Sequence, residues 1–176
     1  NKESISINVN YTDRGGSGFK DQRYAVTLSP TPPSSGWSSW SSSNNRQIAI
    51  TTEGKNFIHL EARDNAGNLM KRSSGTYDID RTSPTANHAL NPDTWVKNET
   101  IIKVTASDSG SGVMTIRLPN GNFVYSSIVN YAVYSNGAYT FILEDMVGNT
   151  RNYVVQVSNF DTTPPTAPTI NTNESW

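Results

Sequence analysis

The chain contains itself twice, and this repeat constrains its fold more than any other feature. The stretch Asp80-Arg81-Thr82-Ser83-Pro84-Thr85-Ala86 returns as Asp161-Thr162-Thr163-Pro164-Pro165-Thr166-Ala167. Asp64-Asn65-Ala66-Gly67-Asn68 returns in the same register as Asp145-Met146-Val147-Gly148-Asn149, and Trp95 as Trp176. The front halves match under a longer offset. Ile5, Ile7, Val9, Tyr11 and Asp13 answer to Thr100, Ile102, Val104, Ala106 and Asp108, because the first copy carries extra residues within 29–47. The boundaries that follow are a first repeat over 1–84 with a long tryptophan-bearing loop at 29–47, a second over 85–166, and the opening of a third over 167–176. The partner of Trp95 would fall just before Asn1, so the segment is expected to belong to an array continuing in both directions.

Within each copy the apolar residues alternate. Ile5, Ile7, Val9 and Tyr11 are separated by Ser6, Asn8 and Asn10, the period of a half-buried strand. Tyr24, Val26 and Leu28 follow, then Ile48 and Ile50, then Ile58, Leu60 and Ala62, then Tyr77 and Ile79. The second copy reads the same way through Ile102, Met114, Ile116, Tyr131, Phe141, Leu143, Val155 and Val157. Asn120-Gly121 and Asn136-Gly137 are expected to supply the positive φ angles of tight hairpins. No window has helical periodicity. About seven short strands per copy indicate an all-β chain of two tandem immunoglobulin-like β-sandwich domains. With 34% hydrophobic and 16% charged residues, each core is affordable while Ser, Thr and Asn cover the surface.

The order of these signals resembles that of the bacterial immunoglobulin-like repeats of large surface proteins and adhesins. It runs strand, Asp, Ser-Gly, alternating apolar residues, Asp-x-x-Gly-Asn, then Asp-x-Thr-x-Pro-Thr, twice over. The first copy adds Gly36-Trp37-Ser38-Ser39-Trp40. The resemblance implies a non-catalytic stalk or adhesive module at a bacterial surface, extracellular and cell-wall-anchored or secreted, with Gram-positive anchoring. Its partners would be neighbouring repeats of the same chain and a surface glycan or protein. The second copy departs from the pattern at Met146-Val147 and in its short middle loop without tryptophan. From a different class, the alternative is a carbohydrate-binding accessory module of a secreted glycoside hydrolase.

The resemblance also implies calcium, since related arrays place aspartates at domain junctions where Ca²⁺, which takes 6–8 oxygen ligands, stiffens the rod. The candidates are Asp13, Asp64, Asp78 and Asp80 in the first copy and Asp108, Asp145 and Asp161 in the second. The competing role for each is a turn held through its own carboxylate. Trp37 and Trp40 are the candidates for stacking on a sugar. In an extended segment, residues three apart point to opposite faces, so one ring is expected to pack inward and the other to stay out. A Lys–Asn isopeptide bond would need a buried lysine. Lys103 alternates with the apolar face and is expected to be exposed, leaving Lys2, Lys97 and Asn159.

Other chemistry finds little support. His59 is expected on the outward face of a strand and His88 in a linker. The serines lack a nucleophile-elbow glycine pattern, and no pair of carboxylates stands in obviously unequal environments. The chain is therefore expected not to be an enzyme. It has no cysteine, hence no disulfide or thiolate metal site. The 14 basic and 15 acidic residues are scattered, with no basic footprint for nucleic acid. No apolar run is long enough to span a bilayer. Asn10, Asn98 and Asn173 head glycosylation-type triplets that arise readily by chance.

Overall fold

The computed structural model describes residues 3–169. Lys2, Asn173 and Trp176 therefore lie outside the described residues. Every regular element is a strand, and the strands form two sandwiches in tandem. In the first, β1 (Ile5–Asn10) pairs antiparallel with β3 (Asn45–Ile50). Across the core lie β2 (Phe19–Thr27), β4 (Gly54–Asp64) and β5 (Leu69–Ser73), with β6 (Tyr77–Ile79) on the opening residues of β4.

In the second sandwich one sheet holds β7 (Thr85–Asn91), β8 (Thr100–Ser107) and β11 (Ile128–Val133), with β8 central. The other runs from β10 (Phe123–Val124) through β9 (Val113–Arg117) and β12 (Gly137–Asp145) to β13 (Thr150–Val157). The repeat extends to strand register. Val9 faces Arg46 and Ile5 faces Ile50, as the equivalent Val104 faces Val129 and Thr100 faces Val133.

The cores are separate. Ile48, Ile50, Ile58 and Ile79 fill the first, flanked by half-buried Ile5, Ile7 and Val9. The second holds more fully buried side chains, among them Ile102, Val104, Ile116, Phe141, Leu143 and Val155. Each such burial contributes about 1.5–3 kcal/mol, which makes plain how a fold without disulfides holds.

Local details depart from the sequence reading. Leu28 is 58% exposed, because β2 ends at Thr27 and the chain turns away before that residue reaches the core. Gly121 has the expected positive φ of 90°, but Gly137 does not; it opens β12 opposite Val157, and its neighbour Asn136 has another task. The Asn136 amide clasps the backbone of Phe160, accepting its N–H and donating to its carbonyl, each at 2.9 Å.

His59 does project from the face of β4 away from the core, yet it is 0% exposed. The loop after β2 folds over that face, and the imidazole bonds Thr27 Oγ1 at 2.9 Å, Ser73 Oγ at 2.8 Å and the Ser29 carbonyl at 3.1 Å. His88 is not in a linker. It lies in β7, a polar strand whose few apolar residues hide its period, and its Nδ1 meets the Tyr153 hydroxyl at 2.8 Å.

Candidate functional site

Asp80, Asp108 and Asp145 converge where the linker meets the second sandwich. One carboxylate oxygen from each lies within 4.8 Å of the others. Three elements bring them there. Asp80 directly follows β6, Asp108 directly follows β8, and Asp145 ends β12. Asp145 is 0% exposed and Asp80 4%.

Each carboxylate is oriented by backbone N–H groups, as its turn-forming residue type requires. Asp108 Oδ1 accepts from Gly110 at 3.0 Å and Gly112 at 2.9 Å. Asp145 Oδ1 accepts from Val147 at 2.9 Å and Asn149 at 2.8 Å, while the Asn149 amide donates to Oδ2 at 2.8 Å and to the Asp80 carbonyl at 3.1 Å. Asp80 takes Thr82 N–H at 3.0 Å and Ser111 N–H at 2.5 Å. Burial works to raise the Asp80 pKa, but the bonds from Ser111 and Thr82 outweigh it and hold the carboxyl below its ordinary value.

The donor set suits a hard divalent cation. Among the described residues, no lysine, arginine or histidine forms an ion pair with any of the three. Asp108 Oδ2 is buried without a hydrogen-bond partner. Three like charges this close repel by roughly 3 kcal/mol per pair at an effective dielectric of about 20. A bound cation would convert that repulsion into attraction, and carboxylate oxygens that already accept N–H bonds retain lone pairs for it.

The structure gathers three of the seven candidate aspartates. Asp13 and Asp64 hold the equivalent places in the first sandwich, where Asp13 accepts Gly15 N–H at 2.7 Å and Asp64 binds Asn68 through its backbone at 2.8 Å and its amide at 2.7 Å. Among the described residues no third carboxylate joins them. Asp78 is exposed beside the cluster. Asp161 is exposed and turns the chain by accepting Thr163 N–H at 2.8 Å.

Trp37 and Trp40 do not point to opposite faces. The segment carrying them is not a regular strand. It lies along β2, with Ser38 N–H donating to the Tyr24 carbonyl and Ser41 exchanging two bonds with Gln22, each at 2.8 Å. Both rings turn outward over the same guanidinium. Arg23 sits 4.8 Å from the Trp37 centroid and 4.7 Å from that of Trp40, and Arg63 stands 3.7 Å from Trp40. The arginines are fixed in turn. Arg23 binds Glu61 at 2.6–2.7 Å, and Arg63 grips Asp21 through two bonds at 2.8 and 2.6 Å. The bonds from Arg63 hold the Asp21 pKa below the usual carboxylate range. Sequence reasoning passed over these charges. The signal was present in Asp21 and Arg23 on β2 and in Glu61 and Arg63 on β4, which alternate on the outer face. For the crosslink, Lys97 and Lys103 are both exposed.

No family model and no curated protein sequence matches the chain. Among solved structures it is similar to the fibronectin(III)-like modules of Clostridium thermocellum CbhA, at 15% identity and TM-score 0.40, covering 88% of this chain and 85% of that one. It is also similar to an amphioxus IgVJ-C2 molecule, at 13% identity and TM-score 0.40, covering 89% and 96%. SGBP-B of the Bacteroides ovatus mixed-linkage glucan utilization locus, in complex with a mixed-linkage heptasaccharide, matches at 19% identity and TM-score 0.27. There the match covers 89% of this chain but 41% of that one.

Proposed function

We propose that this chain is a non-catalytic, semi-rigid segment of a bacterial cell-surface protein, in the manner of tandem immunoglobulin-like repeats, and that calcium bound by Asp80, Asp108 and Asp145 stiffens its junction. The observation that carries this reading is the convergence of a linker carboxylate with two loop carboxylates of the following domain. A cation there would tie the linker to the second sandwich. Arg81, the very next residue, fastens the linker to the first: its N–H meets Glu53 at 3.0 Å and its guanidinium bonds the Thr51 carbonyl at 2.6 Å. Adjacent linker residues thus engage opposite domains, an arrangement suited to a spacer.

The carbohydrate-binding alternative needs aromatic faces open to a sugar. Arg23 already lies over both rings and Arg63 over Trp40, so the stalk is the better supported reading.

The test is thermal unfolding in EDTA and in millimolar CaCl₂. A ligand at about a hundred times its Kd stabilises by about 2.7 kcal/mol, and each kcal/mol moves Tm by roughly 4–8 °C in a domain of this size. The expected result is a rise of ten degrees or more, abolished by Asp145→Asn. An unchanged transition would remove calcium from the proposal. Binding to a glycan array that is lost in Trp37→Ala would overturn the stalk reading instead.

A further inference from the structure

The chain contains two Asn-Gly pairs, Asn120-Gly121 and Asn136-Gly137, and the stalk reading uses neither for chemistry. This dipeptide is open to a rearrangement that needs only water. A glycine has no side chain to crowd its backbone nitrogen, which can reach the side-chain carbon of the preceding asparagine. The nitrogen gives up its proton and attacks Cγ. A new C–N bond forms, the bond from Cγ to Nδ2 breaks, and ammonia leaves. Water then opens the five-membered succinimide at either carbonyl, yielding aspartate or isoaspartate.

Both asparagines are exposed, so access to water does not separate them. Their hydrogen bonds do. The Asn136 amide is engaged at both ends, Oδ1 accepting the Phe160 N–H and Nδ2 donating to the Phe160 carbonyl, each at 2.9 Å. Phe160 is fixed in turn. Its ring is part of the second core, and its neighbours Asn159 and Asp161 bond Val96 at 2.8 and 3.0 Å. The Asn136 side chain can swing onto the Gly137 nitrogen only after Phe160 lets go, and that means opening the second sandwich.

Asn120 sits at the tip of the hairpin between β9 and β10. Among the described residues its amide nitrogen has no partner, while Oδ1 accepts the Asn122 N–H at 3.1 Å, which draws electrons away from Cγ. Two backbone bonds hold the tip, from Gly121 to the Leu118 carbonyl at 2.9 Å and from Leu118 to the Asn122 carbonyl at 2.8 Å. Beyond them β10 is only two residues long. So short a hairpin opens locally while the core stays closed. The Arg117 guanidinium stands beside Gly121, 3.9 Å from where a Cβ would project, and among the described residues it forms no ion pair. A positive charge there favours the deprotonated nitrogen that must attack.

We infer that Asn120 is a deamidation site of the folded chain, and that the clasp on Phe160 shields Asn136 from the same reaction. Conversion places a new carboxylate near Arg117. The isoaspartate form also carries the main chain through an extra methylene at the hairpin tip.

The test is peptide mapping by mass spectrometry of the full chain, kept in mildly alkaline buffer while urea is raised stepwise through the unfolding transition. Each rate is divided by that of the same residue in the fully unfolded chain. Asn120 is expected to convert without urea, at a rate that barely changes below the transition, because local opening exposes little surface. Asn136 is expected to be slower than Asn120 by about tenfold or more without urea, since two hydrogen bonds must be given up first. Its rate should climb in step with unfolding of the second sandwich. An Asn120 that stays intact until the chain unfolds overturns the inference. So do equal relative rates without urea, or an Asn136 rate that urea leaves flat.

Discussion

Gly110 lies directly beneath the carboxyl group of Asp80, so close that a Cβ at that position would run into all three carboxyl atoms. The glycine donates its N–H to Asp108, and the next residue donates to Asp80, so one short turn holds two members of the cluster at once. Gly110→Ala is therefore expected to push Asp80 out of the cluster while leaving both cores untouched. Calcium titration followed by Tm is the measurement. The cation-dependent rise should disappear in this variant, whereas Ser111→Ala, which keeps the backbone N–H, should retain it.

Gln22 is 0% exposed, and neither the oxygen nor the nitrogen of its amide has a hydrogen-bond partner. An unpaired buried amide costs about 1–3 kcal/mol. Gln22→Met, close in volume and apolar, is expected to stabilise the first sandwich by that order. Urea unfolding would register it as a higher midpoint at unchanged slope; a lower midpoint would mean that the amide is satisfied.

Burial of Glu61 works to raise its pKa, but Arg23 and Lys71 outweigh it and hold the carboxyl below the ordinary value. A depressed folded-state pKa means that the unfolded chain binds protons first as pH falls. The stability this group contributes is complete above the ordinary glutamate range and drains away as pH drops below about 4.5 through the depressed value. Glu61→Gln should flatten that part of the pH–stability curve, read from unfolding midpoints between pH 6 and 3.

Separate cores of unequal size should unfold separately. Phe141, fully buried and edge-on to Tyr131 at a centroid distance of 5.8 Å, anchors the larger one. Phe141→Ala is expected to cost about 3–5 kcal/mol. In calorimetry it should move the second sandwich's transition and leave the first sandwich's in place. A single transition shifting as a whole would show instead that the sandwiches unfold together.

The fold was legible because strand burial writes a period of two into the sequence, as at Ile5, Ile7 and Val9, and the repeat wrote it twice. Two kinds of information escaped. The grouping of Asp80 with Asp108 and Asp145 depends on where three chain turns meet in space, which spacing along the chain does not encode. The outer face of β4 read as solvent-facing because His59, Glu61 and Arg63 are polar, whereas the loop bearing Trp37 folds back over them. A polar residue under a loop carries the same alternation as one in water; only its hydrogen-bond partners tell the two apart.

The division of labour between Asp80 and Arg81 has a mechanical corollary. A pull on the two ends of this chain would load neighbouring peptide units in opposing directions, so tension would reach the anchors of the linker before it reached either interior. With calcium bound as proposed, the junction would yield at a force set by local ion concentration, before either sandwich unravels.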